Sequence, residues 1–133
     1  MADVPPSDQR SQAMAKLLFH CSHGADDPER AIVPFIAASV AAASGQEAVV
    51  LLTVEGAWLC QRGYADTVRL DGYPELGPLV AGFVAAGGVI WACSACTTPR
   101  GITPDQLVAG ATIVGAATIV EAVAQGAVPV ALG

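Results

Sequence analysis

The segment VIWACSACTTPRG, residues 89–101, runs from a short apolar stretch directly into a turn-rich stretch that holds two cysteines. Residues 89–92 are apolar and partly β-branched, which predicts a buried strand. Residues 93–101 contain Pro99 and Gly101, which predicts a loop. A buried strand that ends in such a loop indicates an α/β protein whose chemistry lies where the strand ends.

The same alternation of helix, strand and loop extends outward over most of the chain. Strands are predicted at residues 16–21, 47–53, 89–92, 111–114 and 128–132. Helices are predicted at residues 28–44, 56–61, 74–86, 116–125 and, for one or two turns, after Thr103. This alternation predicts a parallel sheet of about five strands with helices on both faces.

The composition limits the classes of function. The chain has 133 residues with 12 acidic and 6 basic side chains, a net charge of −6. No basic stripe occurs, so direct nucleic-acid binding is disfavoured. Hydrophobic residues make up 53% and charged residues 14% of the chain, whereas an average domain is about 25% charged. So few charges predict that another copy of the chain covers part of the surface.

The N-terminal stretch bears on domain organisation and location. Residues 1–14 are polar and aperiodic, which predicts a disordered tail before a single domain over residues 15–133. This stretch lacks the apolar centre of a signal peptide. No segment has the roughly 20 apolar residues that cross a membrane. We therefore expect a cytoplasmic protein, without a membrane anchor, whose four cysteines are thiols.

All four cysteines fall at or after the ends of predicted strands. Cys21 ends the first strand, Cys60 follows the second, and Cys93 and Cys96 follow the third. Right-handed crossovers place the strand-to-helix connections of a parallel sheet at one edge, where ligands and catalytic groups lie. We therefore expect the thiols to gather near that edge.

Cys93 and Cys96 are the candidate catalytic cysteines. The thiolate is the nucleophile in sulfur transfer, so a sulfur carrier needs an accessible thiol and nearby positive charge. The loop provides access, and Arg100 provides the charge. Cys96 is interpreted as a resolving thiol, a second carrier or only a neighbour. Either cysteine is alternatively a small apolar residue that fills space under the loop.

Two other interpretations of the cysteines have weaker support. A CxxC pair is typical of thioredoxin-like proteins, but there it opens a long helix, which Pro99 and Gly101 preclude. As half of a zinc site, the pair would need His20, Cys21 or His23 as further ligands. A second clear pair of ligands is lacking, so we predict no metal. Glycine-rich nucleotide motifs and a serine nucleophile elbow are also lacking, so we predict no cofactor.

The stretch CSACTTPRGI, residues 93–102, resembles the cysteine loop of the DsrE/DsrF-like family, and most closely that of its YchN-like branch. In that loop a cysteine follows the third strand, and an Arg-Gly pair with a following aliphatic residue begins seven residues later, as here. Residues 24–31 (GADDPERA) and 107–121 (LVAGATIVGAATIVE) also resemble the family. The resemblance spans about residues 15–132.

The resemblance implies a three-layer α/β/α fold with a five-stranded parallel sheet, assembled into homo-oligomers that are trimers or hexamers. It implies that Cys93 carries a persulfide and passes sulfur from donor to acceptor proteins, toward tRNA thiolation, sulfur oxidation or another pathway. Cys96 matches a second cysteine of the YchN-like branch, and Arg100 completes the catalytic set. The candidate accessory and pocket residues are His20, Cys21, His23, Gly24, Cys60, Thr97 and Gly101.

Two alternatives of other functional classes stay open. The chain is alternatively an oligomeric binding module without catalysis, whose cysteines only line a strand-end pocket for a small ligand or a peptide. It is alternatively a dithiol redox protein in which Cys93 and Cys96 form a reversible disulfide.

Overall fold

Five parallel strands form one sheet in this computed structural model, which describes residues 16–132. The strands are β1 (Leu17–Cys21), β2 (Ala48–Leu52), β3 (Val89–Cys93), β4 (Ala111–Val114) and β5 (Val128–Ala131). Their order across the sheet is β4-β3-β2-β1-β5, and every neighbouring pair is parallel. The predicted five-stranded parallel sheet is confirmed. The predicted tail over residues 1–14 lies outside the described residues.

Helices and 3-10 turns connect the strands. The α-helices are α1 (Pro28–Ala43), α2 (Leu76–Ala85), α3 (Ser94–Thr97) and α4 (Ala116–Ala124). The 3-10 turns are Val54–Cys60, Ala65–Thr67, Thr98–Arg100 and Pro104–Gln106. The helix α1 begins where the sequence predicts, because the Asp27 side chain accepts the Arg30 N–H and Pro28 stands in the first turn. None of the helices in the described residues is long and apolar enough to cross a membrane.

The helices α1 and α2 pack on one face of the sheet and bury the main core. Phe35 of α1 meets Phe83 of α2 edge to face, with the ring centroids 5.9 Å apart. Alternate strand residues point toward these helices. Phe19, Val50 and Ile90 are three of them, and each is buried in the same cluster. We call this side of the sheet the core face.

The opposite side, which we call the α4 face, is covered more thinly. Leu18, Val49 and Ala127 form a small buried cluster, and Trp91 packs against it half-buried. No residue of α4 is itself buried, and Val120 at its centre is 67% exposed. The predicted three-layer α/β/α arrangement is confirmed, with α4 forming the third layer of the part of the chain that the structure describes.

The stretch predicted as a loop, residues 93–101, is helical over most of its length. The helix α3 covers Ser94–Thr97, and a 3-10 turn follows over Thr98–Arg100. Pro99 fits because it stands in the first turn, where its missing N–H is not needed. Gly101 ends the turn with φ +68°, which glycine adopts without strain. The loop prediction was wrong because proline and glycine here mark the limits of short turns.

Candidate functional site

The carboxyl ends of β1, β2 and β3 form one edge of the sheet. In the strand register Cys21 stands beside Leu52, and Leu52 stands beside Ala92. The next residues, Thr53 and Cys93, are therefore neighbours at the ends of the adjacent strands β2 and β3. Because side chains alternate along a strand, Cys21 points into the core face while Thr53 and Cys93 lie on the α4 face. The cysteines predicted to gather at this edge are thus divided between its two faces.

Cys93 and Cys96 share one helical turn. Cys93 is the N-cap residue of α3 and Cys96 is its third residue. Cys93 is 8% exposed, Cys96 is half-buried, and both are free thiols. The side chain of an N-cap residue lies beside that of the third helical residue, as in a capping box, so the two side chains are neighbours. No long helix follows, as the sequence predicts, but the pair does open a helix of a single turn.

The backbone amide of Val54 points at the sulfur of Cys96. The N–H donates to Cys96 Sγ with an N···S distance of 3.1 Å. Val54 has φ +52°, and among residues 16–132 it is the one non-glycine residue with a positive φ. This conformation costs a β-branched residue about 1–3 kcal/mol, so the surrounding contacts must hold it. Sequence reasoning missed Val54, because valine carries no signal for left-handed backbone.

Arg100 acts on the cysteine turn through the backbone and a carboxylate. Its guanidinium donates to Glu55 Oε2 from Nη2 at 2.8 Å and from Nε at 3.2 Å. Its Nη1 donates to the carbonyl oxygen of Cys96 at 3.0 Å. The positive charge predicted for the thiol is therefore paired with Glu55. Sequence reasoning missed Glu55, although its place three residues after β2 puts it at the same sheet edge.

Cys21 and Cys60 belong to the core, unlike the accessory positions predicted for them. Burial raises the pKa of Cys21 to about 12 and that of Cys60 to about 11. The Cys21 thiol lies near the carbonyl oxygens of His23, at 3.4 Å, and Ala31, at 3.8 Å. Both thiols therefore stay protonated near neutral pH and do not supply a thiolate.

The two histidines beside Cys21 lie on separate partners. His20 Nε2 is 2.6 Å from Thr53 Oγ1, which places its exposed ring on the α4 face beside the end of β2. His23 Nδ1 is 2.9 Å from Asp26 Oδ2. The two histidine side chains therefore have separate partners, and His20 lies beside Thr53, the residue that follows β2.

The remaining predicted accessory residues shape the backbone. A side chain at Gly24 would meet the Glu55 carbonyl oxygen and the Tyr64 hydroxyl, each at 2.9 Å. The hydroxyl of Thr97, which is buried, donates to the Ser94 carbonyl at 3.4 Å. Gly56, which sequence reasoning missed, has even less room, since a Cβ there would lie 2.2 Å from the Cys21 carbonyl oxygen. The 3-10 turn after β2 thus packs closely against the end of β1.

The described residues form no metal cluster at this edge, and a cavity of the structure lies away from the cysteines. Within residues 16–132, no three His, Cys, Asp or Glu side chains form a group suited to a metal ion. A cavity of about 340 Å³ lies beside α2, between that helix and residues 63–66 and 108–109, and no cysteine lines it. This cavity is therefore not the strand-end pocket that the binding-module interpretation requires.

Comparison with known proteins identifies the family. The model of the DsrE/DsrF-like family matches residues 15–128. The chain belongs to the DsrE/DsrF-like family. The resemblance inferred from the cysteine loop is thereby confirmed. An uncharacterized protein of Methanocaldococcus jannaschii, MJ0760, is 32% identical to this DsrE/DsrF-like chain over 98 residues, or 74% of it. The chain spans only 36% of that relative's length.

Two solved structures share the fold of this DsrE/DsrF-like protein. The ychN protein of E. coli matches with a TM-score of 0.73 and 15% identity, over 90% of this chain and 100% of the other. A protein of unknown function from Methanobacterium thermoautotrophicum, MTH1491, matches with a TM-score of 0.70 and 20% identity, over 89% and 99%. At these identities the likeness shows the fold.

Proposed function

We propose that this DsrE/DsrF-like protein is a sulfur carrier that holds sulfur as a persulfide on Cys93 and passes it between partner proteins. The observation that carries the proposal is the division of the thiols between the two faces. Cys21 and Cys60 are sealed in the core cluster, whereas Cys93 is also buried but lies outside that cluster at the end of β3. Cys96, in the same turn, is half-buried at the border of the cluster. Membership of the family suggests the same activity.

The proposed transfer needs no cofactor. The thiolate of Cys93 attacks the outer sulfur of a donor protein's persulfide. A bond forms between Cys93 Sγ and that sulfur, the donor's sulfur–sulfur bond breaks, and the donor leaves as a thiolate. A thiolate of the acceptor protein then attacks the outer sulfur on Cys93 in the same way, which returns Cys93 to a thiolate.

Sulfur loading tests this proposal directly. The purified protein is incubated with a cysteine desulfurase and cysteine, and its mass and cyanide-labile sulfur are measured. The wild type gains the mass of one sulfur atom, whereas Cys93→Ala gains none. Cys60→Ala, which removes a core thiol, loads like the wild type. A wild type that neither gains sulfur nor releases sulfide, or a Cys93→Ala variant that loads normally, contradicts the proposal.

A second copy of the chain is the proposed cover of the α4 face. Val120 and Val123 of α4 are exposed, as is Val89 at the start of β3. Only 14% of the residues are charged, and exposed apolar side chains on a chain with so few charges favour a surface that a partner covers. A trimer or a hexamer would bury them and would bring several Cys93 edges into one assembly.

A dithiol redox function is the second candidate. It is favoured by the placement of Cys93 and Cys96 at the N-cap and third position of one helical turn, the spacing at which a disulfide is within reach. Thiol titration before and after mild oxidation separates the two functions. A redox protein loses both thiols together and recovers them on reduction, without any sulfur donor.

A further inference from the structure

We propose that Cys96 discharges a persulfide on Cys93 by forming a disulfide with Cys93 and releasing hydrosulfide. This inference rests on the proposed function, because it needs sulfur on Cys93. The Cys96 thiolate attacks the inner sulfur, which is Cys93 Sγ, and a bond forms between the two Sγ atoms. The bond from Cys93 Sγ to the outer sulfur breaks, and its electron pair leaves with HS⁻. The persulfide is itself the oxidant, so no other is required.

The spacing of the two cysteines favours attack on the inner sulfur. The Cβ atoms of neighbouring side chains on one helical turn, about 5–6 Å apart, must approach to about 3.5–4.5 Å in a disulfide. A change of side-chain rotamer at Cys93 turns its sulfur toward Cys96, and a small shift of its N-cap backbone shortens the Cβ–Cβ distance by the required amount of about 1–2 Å. The outer sulfur stands about 2 Å farther out, and rotation about the Cβ–Sγ bond of Cys93 sets its direction. The turn therefore fixes Cys96 relative to Cys93 Sγ and leaves the outer sulfur free for a partner.

The amide of Val54 gives the attacking sulfur a defined place. Its nitrogen lies 3.1 Å from Cys96 Sγ, and Val54 itself adopts φ +52°. Strained backbone of this kind persists where neighbouring contacts over-determine it, and it is concentrated at functional sites. A cysteine that merely filled space would need no such donor.

The Glu55–Arg100 ion pair holds the two ends of this hydrogen bond together. Glu55 directly follows Val54, whose N–H is the donor. Arg100 binds Glu55 Oε2 at 2.8 Å and the Cys96 carbonyl oxygen at 3.0 Å. The ion pair thus connects the turn after β2 to the cysteine turn after β3. Glu55 and Arg100 are positioning residues in this step, since both act through the placement of Cys96.

Release of sulfide from the loaded protein tests the inference. The protein is loaded with a cysteine desulfurase, separated from all reagents, and followed without reductant by sulfide assay and mass spectrometry. The wild type releases one equivalent of sulfide and ends two hydrogen atoms lighter than the dithiol. Cys96→Ser loads normally but retains its sulfur at least about tenfold longer. Cys60→Ala, the matched control at a buried thiol, behaves like the wild type.

Two further variants test the positioning residues. Glu55→Gln slows sulfide release about three- to tenfold while sulfur loading and thermal stability stay unchanged. Glu75→Gln, which alters an exposed ion pair with Arg69, leaves release unchanged. A change in loading or stability in Glu55→Gln, with release unaffected, assigns Glu55 to the fold and contradicts its positioning role.

The outcomes separate this inference from the proposed function. Sulfide release by Cys96→Ser at the wild-type rate overturns the inference while the carrier function stands. Sulfur found on Cys96 of the wild type also overturns it, because the outer sulfur has then been attacked. Failure of Cys93 to load overturns both.

Discussion

The two faces of the sheet place cysteine in opposite environments. On the core face, Cys21 is enclosed by α1 and its pKa is raised to about 12 by burial. On the α4 face, Cys93 ends β3 beside Thr53 and opens a helical turn that contains a second thiol. Cys21 and Cys93 both end parallel strands at the same edge. The difference between them is the face to which the last residue of the strand points.

This contrast shows that a strand end is not by itself a reactive position. A cysteine on the core face fills space, as an alanine there would, and its thiol is a weak acid. Cys93, on the α4 face, is buried as well, but it lies outside the core cluster, and its turn carries the half-buried Cys96. We expect the core face to govern stability and the α4 face to govern chemistry and assembly.

The largest effect expected is on the core face. Phe83→Ala removes a buried ring that packs edge to face on Phe35, so the free energy of unfolding falls by about 3–5 kcal/mol. Val40→Ala changes α1 at a position that is 63% exposed, so it changes the free energy of unfolding by less than about 0.5 kcal/mol. Urea denaturation of both variants measures the difference. Similar losses in the two variants would show that the core is not where the structure places it.

The pH dependence of stability separates Cys21 from an ordinary thiol. Its pKa is raised from 9.0 to about 12 on folding, so the unfolded chain loses the proton first as pH rises. The Cys21 contribution to stability is complete below pH 9 and falls by about 1.4 kcal/mol per pH unit between pH 9 and 12. Cys21→Ala lacks this part of the decline, which denaturation at pH 8 to 10.5, roughly spanning the onset, detects. An identical pH slope in wild type and variant would contradict the burial of this thiol.

Charge on α4 tests the cover of the α4 face. Val120→Lys places a charge where a second copy is proposed to pack, so self-association weakens by at least about tenfold. Val40→Lys, at a similarly exposed valine on α1, leaves the oligomeric state unchanged. Sedimentation velocity over a range of concentrations measures both. A wild type that stays monomeric rules out a second copy as the cover of the α4 face. Equal effects of Val40→Lys and Val120→Lys would show that the copies do not associate specifically through that face.

The smallest effect expected is that of the histidines on sulfur loading. His20 binds the hydroxyl of Thr53, which neighbours Cys93, so His20→Ala lowers the initial loading rate roughly threefold. His23→Ala removes a partner of Asp26 at the other side of the edge and leaves the rate unchanged. Equal loading rates in the wild type and both variants would show that the His20–Thr53 hydrogen bond has no effect on sulfur loading of Cys93.

The sequence by itself determined the strands, the longer helices and their order along the chain, but not the short helix α3. The alternation of apolar strands with helices predicted the parallel sheet, and Asp27 and Pro28 placed the start of α1. The cysteine loop identified the family. These features depend on local chemistry, on hydrophobic periodicity and on capping, which a stretch of ten to twenty residues contains in full.

Only the tertiary structure decided which thiols share an environment. The Val54 amide meets a sulfur 42 residues away in the chain, and Glu55 meets an arginine 45 residues away. The positive φ of Val54 opposes the local preference of valine and exists because these distant contacts hold it. The face to which Cys21 or Cys93 points depends on strand register, and a shift of one residue would exchange them. No local pattern contains that information.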